Sequence, residues 1–140
     1  MSKVSGSCLC GSVRFEVERS YLSAVNCYCG MCRRAHGGSY STHIAMRREQ
    51  FKLVAGELRV FTSSREGRRE FCQFCGSHVL VHGQTADNSV AVPAGLFEQG
   101  APIEVNAHIF VKDKVAWQSI DDSMPQHDGW PPGIVATHTD

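Results

Sequence analysis

Seven cysteines occur in three short groups along the 140-residue chain. Three thiols fall within the segment Cys27-Tyr28-Cys29-Gly30-Met31-Cys32, and a pair lies on either side, Cys8-Leu9-Cys10 and Cys72-Gln73-Phe74-Cys75. An odd number of cysteines cannot pair completely as disulfides, and spacings this tight are typical of metal or redox chemistry in a reducing compartment. Metal binding is therefore the favoured interpretation.

The two outer pairs can supply four thiolates to one tetrahedral zinc ion. Gly11 and Gly76 follow the pairs and permit the tight backbone that turns thiolates inward. A metal held by both pairs would tie the first strand to the later sheet and contribute on the order of 10 kcal/mol to folding. The spacings alone do not identify which pair partners which.

The central triplet supplies three thiolates and leaves one coordination position to fill. Three protein ligands plus a water or substrate is the pattern of catalytic zinc. His36, four residues after Cys32, has an acceptable spacing for a fourth ligand, which would make the site closed and structural. The residues leave these two alternatives equally open, and iron bound by thiolates for electron transfer is a third.

Charge and hydropathy restrict the class of protein that carries these thiols. The 14 basic and 14 acidic residues give no net charge, which argues against a nucleic-acid-binding module. No apolar run approaches the roughly 20 residues of a membrane span, and the first six residues have no apolar signal region. We expect a single-domain, soluble, cytoplasmic protein.

The elements that must position the thiols are predicted to be short strands. Apolar and polar residues alternate over residues 12–18, and a second strand over 21–25 leads into the triplet. Residues 33–36 are predicted to form one helical turn, and residues 51–62 a hairpin around Ala55-Gly56. Other extended segments are predicted at 39–46, 68–71, 78–81, 89–92, 108–111 and 115–117. No helical period is sustained, so the sequence predicts a mainly β domain.

The order of the cysteine motifs resembles that of the glutathione-dependent formaldehyde-activating enzyme family. The motifs are Cys-x-Cys-Gly, Cys-x-Cys-x-x-Cys-Arg-Arg and Phe-Cys-x-x-Cys-Gly. Residues 51–58 and 108–111 are also similar, as are Trp117 and residues 120–122. The resemblance covers residues 5–132, which form one domain in this interpretation, with 133–140 as a C-terminal tail.

The resemblance implies a zinc-binding domain of several short, coiled antiparallel β-sheets with two zinc ions. It assigns the structural ion to Cys8, Cys10, Cys72 and Cys75. It assigns the catalytic ion, with a position open to substrate, to Cys27, Cys29 and Cys32. The implied activity is that of an S-(hydroxymethyl)glutathione synthase, a carbon–sulfur lyase whose partners are glutathione, or a related thiol, and an aldehyde. One position departs from the family, because Tyr28 stands where histidine is common.

Glutathione carries two carboxylates, so Arg33 and Arg34 beside the triplet are candidate contacts, although a solvated role is the commoner one for at least one of them. Packing or surface roles are expected for His43, His78, His82 and His108. For Trp117 and Trp130 we expect packing in the core or in a lid rather than substrate stacking. A second hypothesis is a zinc-stabilised binding module in which both metals are structural and no reaction occurs.

Overall fold

The computed structural model describes residues 2–83 and 85–133. The strands in these residues are β1 (Val4–Ser7), β2 (Arg14–Val17), β3 (Leu22–Cys27), β4 (Ser41–Arg47), β5 (Phe51–Ala55), β6 (Leu58–Thr62), β7 (Arg68–Cys72), β8 (His78–His82), β9 (Ser89–Pro93) and β10 (Ile103–Ile109). The α-helix α1 is Gly30–His36, and the short 3-10 helices are Arg48–Gln50, Ala94–Leu96 and Val111–Asp113. No helix in the described part of the chain has both the length and the apolar character of a membrane span.

The strands form two sheets, and the expected mainly β fold is confirmed. The small sheet has the order β1-β2-β5 and is antiparallel throughout. The large sheet has the order β10-β3-β4-β9-β8-β7-β6. Its strands are antiparallel except that β10 runs parallel to β3. The triplet therefore follows directly from an inner strand of the large sheet, which gives it a fixed base.

One apolar core joins the two sheets and has Phe15 of β2 at its centre. The Phe15 ring stacks on Phe51 of β5 at 5.1 Å between centroids and meets Phe97 edge-on at 5.3 Å. Gly6 of β1 makes room for this ring, because a Cβ at that position would lie 2.3 Å from the Phe15 Cζ atom. The same cluster contains Leu22, Ile44 and other buried residues of the large sheet, so burial of apolar surface holds the sheets together.

The hairpin predicted over residues 51–62 is wrong. β5 pairs with β2 in the small sheet, whereas β6 pairs with β7 at the edge of the large sheet. The turn between them is real, but it carries the chain from one sheet to the other. Gly56 has φ +87°, and a Cβ there would lie 2.3 Å from the Ser12 carbonyl oxygen. Only glycine fits this close approach, which holds the end of β5 against the segment before β2.

The boundaries of other predicted elements shift, the strand β1 was missed, and one predicted strand is not a strand. β1 was not predicted, because its four residues include two serines and a glycine and show little apolar pattern. β10 begins at Ile103, well before the predicted 108–111, and residues 115–117 are not a strand, since 116 and 117 lie in a turn. α1 is longer than the predicted single turn, because Cys29 caps its start. Of the predicted tail, residues 134–140 lie outside the described residues.

Candidate metal centres

The first cysteine cluster joins a loop of the small sheet to the end of a strand in the large sheet. Cys8 and Cys10 lie between β1 and β2, Cys72 ends β7, and Cys75 lies in the turn before β8. Their four sulfurs all lie within 4.8 Å of one another. The Cys10 sulfur is 3.6 Å from that of Cys8 and 3.8 Å from that of Cys72. We call these residues the four-cysteine cluster.

Hydrogen-bond donors around the four-cysteine cluster favour the thiolate form of two of its sulfurs, those of Cys72 and Cys75. The Ser12 Oγ lies 3.1 Å from the Cys10 Sγ and 3.3 Å from the Cys72 Sγ, and its hydroxyl lowers the pKa of Cys72. The Ser77 hydroxyl, 3.2 Å from the Cys75 Sγ, is the main cause that lowers the pKa of Cys75 to about 5. Thiolates are the form that binds a metal. Four converging thiolates fit a thiophilic cation such as zinc.

The second cluster lies at the junction of β3 and α1. Cys27 ends β3, Cys29 caps the helix by accepting a hydrogen bond from the Cys32 N–H at 3.3 Å, and Cys32 lies inside the helix. The three sulfurs lie within 4.8 Å of one another, and no fourth His, Cys, Asp or Glu of the described chain shares the cluster. Cys27 and Cys32 are buried, whereas Cys29 is half-buried. We call these residues the triplet.

The triplet sulfurs cannot all ionise without a cation beside them. Hydrogen bonds that Cys27 gives to Cys29 and Cys32, together with burial, raise the pKa of Cys27 far above its ordinary value. The same contacts lower the pKa of Cys32. A buried set of like charges is strongly disfavoured unless opposite charge compensates it. The donor set therefore fits a divalent metal, and three thiolates on such an ion would carry a net negative charge.

His36 does not belong to the triplet cluster among the described residues. Its ring contacts His43 and His78, with centroids 5.5 Å and 5.0 Å away, and its buried Nε2 has no hydrogen-bond partner. Burial, together with the neighbouring His43 and His78, lowers the pKa of His36 to about 4, so the imidazole is neutral at neutral pH. This placement disfavours the closed alternative in which His36 is the fourth ligand.

Tyr28 fixes the loop between the first two triplet cysteines to β10. Its side chain is 1% exposed, its hydroxyl lies 3.0 Å from the His108 Nδ1, and its N–H donates to the Ile109 carbonyl at 3.0 Å. The His108 Nε2 lies 3.0 Å from the Asp122 carboxylate, and this contact lowers the pKa of Asp122. Because a carboxylate only accepts, Nε2 carries the proton and Nδ1 accepts from Tyr28 when the imidazole is neutral. The residue that departs from the family pattern is thus a structural anchor.

Replacing Tyr28 by phenylalanine is expected to lower the free energy of unfolding by about 1–3 kcal/mol, because the buried His108 Nδ1 loses its partner. Tyr21→Phe is the matched control, since Tyr21 is 46% exposed and its hydroxyl bonds Glu104 at the surface. This control substitution is expected to change the free energy of unfolding by less than about 0.5 kcal/mol. Urea denaturation of the metal-loaded proteins measures both. Equal shifts for the two variants would contradict the anchor role.

Comparison with known proteins identifies the family of this chain. A family model described as glutathione-dependent formaldehyde-activating enzyme matches residues 3–113. The chain belongs to this family. A Halomonas elongata protein named "Putative glutathione-dependent formaldehyde-activating enzyme" is 30% identical over 129 residues, which cover 84% of this chain and 81% of that protein. A crystal structure of a Rhodobacter sphaeroides protein superposes with a TM-score of 0.59 at 25% identity and covers 70% of this chain and 91% of that one.

Membership of the formaldehyde-activating family confirms the resemblance seen in the sequence. The structure groups the seven cysteines as the resemblance implied, four in one cluster and three in the other. Arg33 and Arg34 lie over the start of the helix, since a Cβ on Gly30 would be 3.0 Å from the Arg34 Nη1 and 3.7 Å from the Arg33 Nη2. Of the two tryptophans, Trp130 packs edge-on against Phe110 at 5.1 Å, but Trp117 is 73% exposed and does not pack as expected.

The sequence did not indicate Arg69, which lies against the triplet. This β7 residue is 2% exposed, and its Nη2 donates to the Cys32 Sγ at 3.7 Å. A guanidinium is always charged, so Arg69 places one positive charge beside the thiolates of the triplet. It thereby offsets the net negative charge that three thiolates give a divalent ion.

Proposed function

We propose that this protein is a zinc-dependent carbon–sulfur lyase of the S-(hydroxymethyl)glutathione synthase type. Its substrates in this proposal are glutathione and formaldehyde, and it works in the cytoplasm, where thiols remain reduced. Both clusters hold zinc, with Cys8, Cys10, Cys72 and Cys75 structural and Cys27, Cys29 and Cys32 catalytic. Family membership supports the substrate class.

The observation that carries the proposal is the contrast between the two clusters. Four sulfurs complete a tetrahedral set in one, whereas the other has three and no fourth protein ligand among the described residues. Structural zinc sites are closed, and catalytic sites combine three protein ligands with a position for substrate. His36, which could have closed the triplet, contacts two other histidines instead.

The reaction joins the glutathione sulfur to the carbonyl carbon of formaldehyde. A carbon–sulfur bond forms, the carbonyl π electrons move to oxygen, and the thiol proton ends on that oxygen to give the hydroxymethyl group. The lyase direction reverses each step. Zinc bound by the triplet would stabilise the substrate sulfur as a thiolate.

Ionisation of the thiol explains only part of the acceleration. A thiol with a pKa near 8.5 is about 3% thiolate at pH 7, so complete ionisation gains about thirty-fold at most. The remainder must come from holding sulfur and aldehyde in reactive contact, which is worth far more in effective concentration. The chain contributes to this by fixing the triplet, through the Cys29 cap and the Tyr28 anchor, and by the charge of Arg69.

Titration of the cobalt-substituted protein with glutathione tests the proposal. Thiol binding at the triplet is expected to change the visible absorption of one of the two cobalt ions, and S-methylglutathione, which has no free thiol, is expected to leave it unchanged. A Cys29→Ser protein is expected to hold cobalt only at the four-cysteine cluster, so its spectrum shows what that cluster contributes to the visible absorption. No change with glutathione would overturn the proposal and favour a binding module in which both metals are structural.

A further inference from the structure

A cavity of about 640 Å³ lies between α1 and the β6–β7 edge of the large sheet. Its apolar wall includes Met31, Val60 and Phe61, and Val60 and Phe61 are 55% and 61% exposed. Its basic residues are Arg34, from α1, and Arg69, from β7. No carboxylate belongs to the described lining, so the cavity has a net positive charge.

Arg69 is buried with only part of the hydrogen bonding that a buried guanidinium requires. Its Nη2 donates to the Cys32 sulfur, but its Nε and Nη1 have no hydrogen-bond partner. The salt bridges of the described residues do not include it. Removing a charge from water costs several kcal/mol unless hydrogen bonds and opposite charge compensate it. The triplet supplies negative charge beside Arg69, but the N–H groups at its Nε and Nη1 still lack acceptors.

Two further residues that line the same cavity each have a buried polar atom without a hydrogen-bond partner. These atoms are the Ser63 Oγ and the His78 Nδ1. The large majority of buried side-chain polar atoms in proteins have a hydrogen-bond partner. Several unpaired groups on the wall of one cavity therefore indicate that a ligand rich in hydrogen-bond acceptors completes them.

Arg34 supplies an accessible cation beside the buried one. Its side chain is exposed, and its Nη1 would lie 3.0 Å from a Cβ on Gly30, which places the guanidinium over the residue between Cys29 and Met31. The two arginines thus reach the cavity lining from different elements, one from the helix and one from the strand. Arginine binds carboxylates through two parallel hydrogen bonds, which makes it the favoured cation for such a ligand.

We propose that this cavity binds a carboxylate of the thiol substrate between Arg34 and Arg69. The inference rests on the proposed function and names its specificity determinant: the substrate is a thiol that carries a carboxylate, and its carbon chain lies along Met31, Val60 and Phe61. Arg69 contacts both the cavity and Cys32, so a carboxylate held there keeps the attached thiol close to the triplet.

Calorimetric binding of S-methylglutathione to the zinc-loaded protein tests this inference, because this probe keeps both carboxylates and has no free thiol. The wild-type protein is expected to bind it, and the dimethyl ester of the probe is expected to bind about 10- to 100-fold more weakly, since charged hydrogen bonds are lost. Arg34→Gln and Arg69→Gln are each expected to weaken binding of the probe about tenfold or more.

Arg59→Gln is the matched control, because Arg59 is an exposed arginine of β6 outside the cavity lining; its affinity for the probe is expected to equal that of the wild type. Because Arg34 is exposed, the Arg34→Gln protein is expected to fold. It therefore tests the inference even if the Arg69→Gln protein, which loses a buried side chain, does not fold. The inference would be overturned if the wild-type protein did not bind the probe, if the ester bound as tightly as the probe, or if Arg34→Gln bound the probe with wild-type affinity.

The outcome separates this inference from the proposed function. Arginine-dependent binding of the probe together with an unchanged cobalt spectrum in glutathione would leave the carboxylate site standing and remove the lyase. If instead glutathione changed the cobalt spectrum and the probe bound equally well without the arginines, the lyase would stand and the carboxylate site would be removed.

Discussion

Replacing Cys72 by serine is expected to abolish metal binding at the four-cysteine cluster and to unfold the protein at room temperature. The Cys72 side chain is fully buried, and its sulfur lies 3.8 Å from that of Cys10. A structural zinc ion contributes on the order of 10 kcal/mol to folding. That value is comparable with the whole free energy of unfolding of a typical domain, roughly 5–15 kcal/mol. Circular dichroism in increasing urea and the metal content of the purified protein measure the effect.

Phe74→Ala is the control for a disturbance of the same turn. Phe74 is 74% exposed, and its backbone N–H, which donates to the Cys72 sulfur, is unchanged by the substitution. The control is expected to change the free energy of unfolding by less than about 0.5 kcal/mol. A Cys72→Ser protein with the urea midpoint of the wild type would show that this cluster does not hold the fold together.

Replacing Cys29 by serine is expected to lower the rate of S-(hydroxymethyl)glutathione formation at least about 100-fold while the protein stays folded. Changes to groups that merely support a metal ligand cost about 10- to 100-fold, so loss of a ligand costs at least the upper end of this range. Serine still accepts the Cys32 N–H and caps α1. Exchange spectroscopy of glutathione with formaldehyde measures the rate, and the metal content is expected to fall from two ions to one.

Cys29→Ala separates the thiolate from the cap. It is expected to lose the same activity as Cys29→Ser and, in addition, about 0.5–2 kcal/mol of stability, because alanine cannot accept the capping hydrogen bond. Both variants retain the four-cysteine cluster. If they kept two metals and wild-type activity, the assignment of the triplet to catalysis would be wrong.

The cysteine motifs could be recognised from the sequence because their chemistry depends on local spacing, whereas the pairing of Cys8 and Cys10 with Cys72 and Cys75 came from the family resemblance. Cys-x-x-Cys turns place two sulfurs together whatever the surrounding fold, and glycines beside the pairs indicate the turns. The mainly β class followed from short alternating segments in the same way. These features require little information about distant parts of the chain.

The features that the sequence did not reveal depend on contacts between distant segments. The hairpin was wrong because Ala55-Gly56 indicates a turn but not that the turn packs against Ser12 and leads into another sheet. Arg69 was missed because a strand with adjacent charges is typical of a solvated one. A register shift between Glu70 and Phe71 places both Arg69 and Cys72 in buried positions, although regular alternation would put them on opposite faces.

The separation of the cysteines along the chain has a consequence for the order in which the two metals are acquired. The triplet is complete once residue 32 has been synthesised, and its ligands are close together even before folding. The four-cysteine cluster must close a loop between Cys10 and Cys72, which lie 62 residues apart, and the entropic cost of closure grows with loop length. Because synthesis proceeds from the N-terminus, a nascent chain presents the triplet to metal first. An ion at the four-cysteine cluster would be captured only when the two sheets come together.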